Sequence, residues 1–145
     1  MRFENKVVVI TGASGGIGKA TARLFAKYHA NLVLVDNNNQ ALARLPDELS
    51  LEEGRYLTVH ADVSKERHVQ DFVRQTIETF GRIDVLFNNA GIAPPDAPIE
   101  DITEEDFVRV MDVNIKGVYL GMKHVVPIMK SKDPDPSSIP PPLRD

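Results

Sequence analysis

The run Val7-Val-Val-Ile10, entered from Lys6, is β-branched throughout, and the chain breaks out of it at Thr11-Gly12. Four of the eight residues from Thr11 to Gly18 are glycine. Beyond them the hydrophobic period changes: Ile17, Ala20, Leu24, Phe25 and Tyr28 recur at helical spacing. An unbroken apolar run suits a parallel strand covered on both faces. A buried strand, a glycine turn and an amphipathic helix in that order restrict the chain to few folds.

The alternation continues. Asn31 to Val35 is a second apolar strand closed by Asp36, and a short helix follows that Pro46 is expected to interrupt. Arg55 to Ala61 reads as a third strand. Ser64 is the expected N-cap of a helix carrying Val69, Phe72, Val73, Ile77 and Phe80 on one face, stopped by Gly81. Ile83 to Phe87 reads as a fourth strand. A loop with Pro94, Pro95 and Pro98 leads to Thr103-Glu-Glu-Asp106, which resembles a capping box. The last helix then runs towards Met129, with Phe107, Val110, Met111, Val118, Met122 and Val125 expected inward. Strands and helices in this succession predict right-handed crossovers and a parallel sheet in a three-layer α/β/α arrangement.

Composition narrows the function. No apolar run approaches the roughly 20 residues of a membrane span. A formal charge of −4 and a pI near 5.6 argue against a nucleic-acid surface. With no cysteine in the chain, thiolate metal sites and disulfides are excluded, and a cytoplasmic location is expected. His29, His60, His68 and His124 show no metal-ligand spacing.

The glycine turn carries the chemistry. Gly12, Ser14, Gly15, Gly16, Ile17 and Gly18 stand where a strand hands over to a helix, so a pyrophosphate could approach the backbone and meet the N–H groups of the helix start. Turns also use glycine for purely conformational reasons; the strand–turn–helix context favours the dinucleotide reading. Asp36, about 20 residues further on, can accept hydrogen bonds from ribose hydroxyls. Its charge would repel a 2′-phosphate, and Gly15 supplies no neighbouring base. NAD is expected over NADP.

With these motifs on one chain, the sequence resembles the first half of a short-chain dehydrogenase/reductase. That family's T-G-x-x-x-G-x-G is matched from Thr11 to Gly18. Asp62-Val63 matches the pair that lies along the adenine ring. Asn88-Asn89-Ala90-Gly91 matches the N-N-A-G that braces the sheet and lines the cofactor cleft. Asn114 matches a helix asparagine that helps anchor a proton-relay water. The resemblance implies a Rossmann-like, doubly wound sheet of partial extent, strand order 3-2-1-4, over residues 1–132. It implies an NAD-dependent oxidoreductase acting on a small alcohol or carbonyl compound, with self-association through the last helix. On its own, Asn114 reads as a buried amide satisfied by backbone, since an unsatisfied one costs on the order of 1–3 kcal/mol.

The resemblance also exposes a gap. The family pairs hydride transfer with a tyrosine, a lysine four residues later, and a serine. Tyr119 and Lys123 have that spacing but lie in the helix of Asn114, not in a helix after a fifth strand, and are not expected to be catalytic. Where the family continues with a strand and N-x-S-S, residues 133–145 hold five of the ten prolines. Prolines so spaced forbid a helix, and a disordered tail is expected. Back-translated and read one base earlier, Asp133 to Asp145 permits G-S-G-S-I-I-N-T-S-S-V-A-G. A frameshifted reading is therefore expected, ahead of a natural short isoform or an evolved tail. As it stands the chain is expected to be inactive, with an exposed fourth-strand edge. A non-catalytic NAD-binding or interaction fragment is the alternative.

Overall fold

The computed structural model describes residues 2–142; Leu143 to Asp145, the end of the expected tail, lie outside them. Strand β1 (Val7–Thr11) leads to helix α1 (Gly16–Lys27), β2 (Asn31–Asp36) to α2 (Asn39–Glu48), and β3 (Tyr56–His60) to α3 (Glu66–Phe80). Strand β4 (Val85–Phe87) is followed by a loop, α4 (Glu104–Met111), a π-helical turn (Asp112–Lys116) and α5 (Gly117–Lys130). All strand pairs are parallel, in the order β3-β2-β1-β4.

The apolar runs of β1 and β2 form the centre, buried along both faces. Alternate residues divide between two cores. Val7, Val9, Val33, Val35 and Val59 pack with Val69, Phe72 and Val73 of α3 and with Leu120 and Val125 of α5. Val8, Ile10, Leu32 and Leu34 pack with Ala22 of α1 and Leu42 and Leu45 of α2. Burying a valine or leucine side chain contributes roughly 1.5–3 kcal/mol, so these two layers hold the sheet. Strand β4 is the sheet's edge, half-buried, with no strand on its outer side among the described residues.

Several local expectations are corrected. On α1, Ile17, Leu24 and Tyr28 face outward, Ile17 being 69% exposed, and Ala20 is exposed too. Gly18 and Ala22 face the sheet instead, because small residues let the helix axis come close. Phe25 is half-buried and meets Phe3 edge-to-face at 5.0 Å. Helix α2 runs through Pro46 rather than stopping there. The Asn38 side chain caps it at Ala41 N–H, and Leu42 and Leu45 anchor it to the core, which offsets the missing donor.

Lys65, not Ser64, is the N-cap of α3, because the Ser64 hydroxyl is taken by Asp62. Gly81 does end that helix, with φ +72°. Strand β4 begins at Val85, two residues later than expected, though Ile83 is buried. The single last helix is in fact two, joined by the π turn. Thr103 caps α4 by accepting the Asp106 N–H at 3.1 Å. Phe107, Met111 and Met122 are exposed, Val110 and Val118 are half-buried, and only Val125 of that set is fully buried. Within the tail, Pro136–Ser138 form a 3-10 turn, Ile139 packs on the first core, and Arg67 donates to the Pro141 carbonyl. These contacts set the described part of the tail beside α3.

Candidate cofactor cleft

A cavity of about 500 Å³ opens at the carboxyl ends of the strands. Its floor is the β1–α1 turn. Gly12 sits there at φ +62°, where a Cβ would come within 2.9 Å of the Ala90 backbone, so the turn and the loop after β4 touch only because that atom is missing. Thr11 welds the same junction. Its hydroxyl accepts the N–H groups of Asn89 and Ala90, both at 3.0 Å, and the Asn89 amide donates to the carbonyls of Thr11 and Gly12. Asn88 reaches the other way, with its amide 3.4 Å from the Val118 carbonyl of α5.

One wall belongs to β2. Asp36 holds the turn from the side: one carboxylate oxygen accepts the Ser14 N–H at 2.9 Å and the other the Asn38 N–H at 2.8 Å. An ionised carboxylate has about four acceptor positions, so each oxygen retains one. The Ser14 hydroxyl is buried and has no hydrogen-bond partner among the described residues, and Ser14 is one of the residues that line the cavity. Gly16 also lines it, and a Cβ built there would meet nothing within 4 Å.

Beside the β2 wall stands the loop after β3, the strand next to β2, with the Ala61 N–H donating to the Asp36 carbonyl at 3.0 Å. Burial pulls the Asp62 carboxyl upward, but two hydrogen bonds from Ser64 and the charge of Lys65 outweigh that and hold it below the usual carboxylate range. Val63 is backed by α5, where a Cβ on Gly117 would fall 2.7 Å from the valine side chain.

The cavity brings together Gly12, Ser14, Gly15, Gly16, Ile17, Asp36, Asp62, Val63, Asn89, Ala90 and Gly91. Gly18 lies beneath the turn, where a Cβ would press on Ala13 at 2.9 Å. Asn114 does not line the cavity. It sits in the π turn, its side chain paired both ways with Ile92: the oxygen accepts the Ile92 N–H and the amide donates to the Ile92 carbonyl, each at 2.8 Å. Such π turns are frequent at functional sites. Asn37, Asn38, Ala41, Ile92 and Val113 also line the cavity and carry no motif that marks them. Tyr119 and Lys123 are outside it, on the exposed side of α5, with the ammonium 5.9 Å from the ring centroid and bonded to Glu66.

A profile of the short chain dehydrogenase family matches residues 6–135. This chain belongs to that family. Momilactone A synthase of Oryza sativa subsp. japonica is 44% identical over 129 residues, which is 88% of this chain and 46% of the rice protein. The 3-ketoacyl-(acyl-carrier-protein) reductase from Brucella melitensis, solved with NADH, matches with a TM-score of 0.82 and 38% identity, covering 87% of this chain and 51% of that one. A short-chain dehydrogenase/reductase from Burkholderia phymatum, solved in complex with NAD, matches with a TM-score of 0.83 and 37% identity, covering 89% and 46%. The chain spans about half the length of the short-chain dehydrogenases it matches. No helix among its described residues is long and apolar enough to cross a membrane.

Proposed function

We propose that this chain binds NAD(H) in the cleft and represents the dinucleotide-binding half of an oxidoreductase that interconverts an alcohol and a carbonyl group. The observation that carries the reading is the Ser14–Asp36 pair: a buried hydroxyl with no partner beside a carboxylate with an open acceptor position on each oxygen. A ribose diol offers the donors that the carboxylate lacks, and Ser14 can satisfy a hydroxyl or phosphate oxygen. Gly15, Gly16 and the start of α1 would hold the pyrophosphate, with backbone N–H groups facing it. Asp62 and Val63 would flank the adenine, and Asn89, Ala90 and Gly91 would border the path towards the nicotinamide. When bound, the nicotinamide supplies a hydride acceptor or donor. The charge on Asp36 favours NAD over NADP.

Asn114 is read as the relay asparagine, holding the Gly91–Ile92 backbone through its side chain and so shaping where a water could sit. Among the described residues no Tyr-Lys pair reaches the cleft, so these residues supply no such proton donor and turnover by this chain alone is not expected. Calorimetric titration with NAD and NADP, beside an alcohol-oxidation assay, tests this: NAD binding without turnover is expected. Absence of NAD binding overturns the reading, and robust turnover overturns the inactivity.

A small alcohol or carbonyl substrate, a cytoplasmic setting and self-association belong to the same proposal. Phe107, Ile115, Tyr119 and Met122 are all about half exposed or more along α4, the π turn and α5, an apolar face that favours association. Concentration-dependent sedimentation is expected; a monomer at all concentrations removes that part. An out-of-frame origin for residues 133–145 is checked by sequencing the gene for a one-base shift that opens a Tyr-x-x-x-Lys frame.

A further inference from the structure

The wall of the cleft at Asp62 and Val63 is held by a residue with no place in the motifs, His68. It is the third residue of α3, and its ring reaches back across the N-cap. Nδ1 lies 3.0 Å from the Asp62 backbone nitrogen, the amide donating. Since a backbone N–H can only donate, Nδ1 carries no proton, and the ring's proton is on Nε2.

The third position of a helix commonly holds Glu or Gln, whose side chain accepts a backbone N–H at the helix start. Here a glutamate would set a second carboxylate beside that of Asp62, which already accepts both Ser64 hydrogen bonds on one oxygen. An imidazole is an acceptor of the right reach without negative charge. The loop is thus closed from both ends: Asp62 grips Ser64 through its side chain, and His68 grips Asp62 through its main chain. Val63, next along, is wedged against Gly117 of α5. Loss of the His68 contact would leave the Asp62 N–H unpaired and release one wall of the cavity while α3 and the sheet remain packed.

We propose that His68 is a positioning residue for the cofactor cleft, its unprotonated Nδ1 holding the Asp62–Val63 backbone in the place where a dinucleotide packs. This rests on the reading of the cleft as an NAD site.

The test uses the full chain and three proteins: the parent, His68→Asn and His68→Phe. An asparagine oxygen falls close to where Nδ1 stands and keeps the acceptor, whereas phenylalanine keeps the ring and removes it. NAD affinity, by calorimetry, should fall about tenfold in His68→Phe and be largely restored in His68→Asn. In the cofactor-free parent, nitrogen-15 NMR should show a scalar coupling across the hydrogen bond between the Asp62 amide nitrogen and His68 Nδ1. If His68→Phe does not fold, the coupling and the His68→Asn affinity decide the matter. The proposal is overturned if the coupling is missing, if His68→Phe binds NAD as the parent does, or if His68→Asn is as weak as His68→Phe. A parent that shows the coupling but binds no NAD overturns the cofactor reading, and the positioning role with it.

Discussion

The Thr11 hydroxyl and the Asn89 main chain are joined at 3.0 Å, and the Asn89 side chain returns to the Thr11 carbonyl at 3.1 Å. Two strands that are neighbours in the sheet but 78 positions apart in sequence are thereby locked where the cleft begins. Thr11 is only 2% exposed, so water cannot replace its hydroxyl. Thr11→Val keeps the shape but removes the acceptor of the Ala90 N–H, while the Asn89 N–H keeps the Phe87 carbonyl at 2.9 Å. It should cost about 1–3 kcal/mol, read as a lower denaturant midpoint with an unchanged slope. Thr11→Ser should recover most of the loss.

Gly16 separates binding from stability. A Cβ built there would meet nothing within 4 Å among the described residues, and Gly16 is the first residue of α1. Gly16→Ala should leave the melting temperature unchanged or raised, because alanine is the better helix former by up to about 1 kcal/mol. Gly16 lines the cleft, so if a dinucleotide packs on this turn the added methyl should lower NAD affinity by about tenfold, the effect of roughly 1.4 kcal/mol. A variant that melts higher and binds NAD as tightly as the parent would show that no ligand backbone approaches this turn.

Asp84 gives stability a dependence on acid. Burial raises its carboxyl, but Arg82 at 2.6 Å and the Val7 N–H at 2.9 Å outweigh that and hold it below its ordinary value. Its folded-state pKa is therefore lower than in the unfolded chain. The stabilisation is complete above the unfolded carboxylate value of about 3.9 and is lost as the pH falls through the lower folded value. Asp84→Asn should remove part of the stability at pH 7 and flatten that acid limb, which denaturation midpoints at a series of pH values will show.

Tyr119 and Lys123 supply a control. Their spacing imitates a catalytic pair, yet both are on the outer side of α5, the tyrosine 55% exposed. Tyr119→Phe should leave NAD affinity and any residual turnover unchanged. A fall in either would place the tyrosine in the site after all.

The strands were legible because β-branched runs and helical periods state burial directly: Val7 to Ile10 can be little other than a covered strand, whereas their order came only with the family resemblance. That Gly12 and Asp36 meet at one cavity was legible because they stand at the spacing that a phosphate and a ribose would require. Orientation was not. Ile17, Leu24 and Tyr28 form a true stripe, but Gly18 and Ala22 decide which side meets the sheet, and hydrophobicity cannot weigh closeness of approach. The π turn was invisible, since one extra residue in a helical turn leaves no compositional trace. His68 was passed over because histidines were judged by metal-ligand spacing, while its partner is a main-chain N–H.

The turn at Asp112–Lys116 acts like a change of gear. A helix winding uninterruptedly from Glu104 to Lys130 would tie the angular setting of its second half to that of its first. One wider turn uncouples them, so Gly117 and Gly121 can face Val63 and Asn88 whatever α4 presents to its own surroundings. Removing a single residue there would rotate everything downstream by about 100°. The two glycines would swing away from the cleft, and bulkier side chains would arrive where only hydrogen atoms fit.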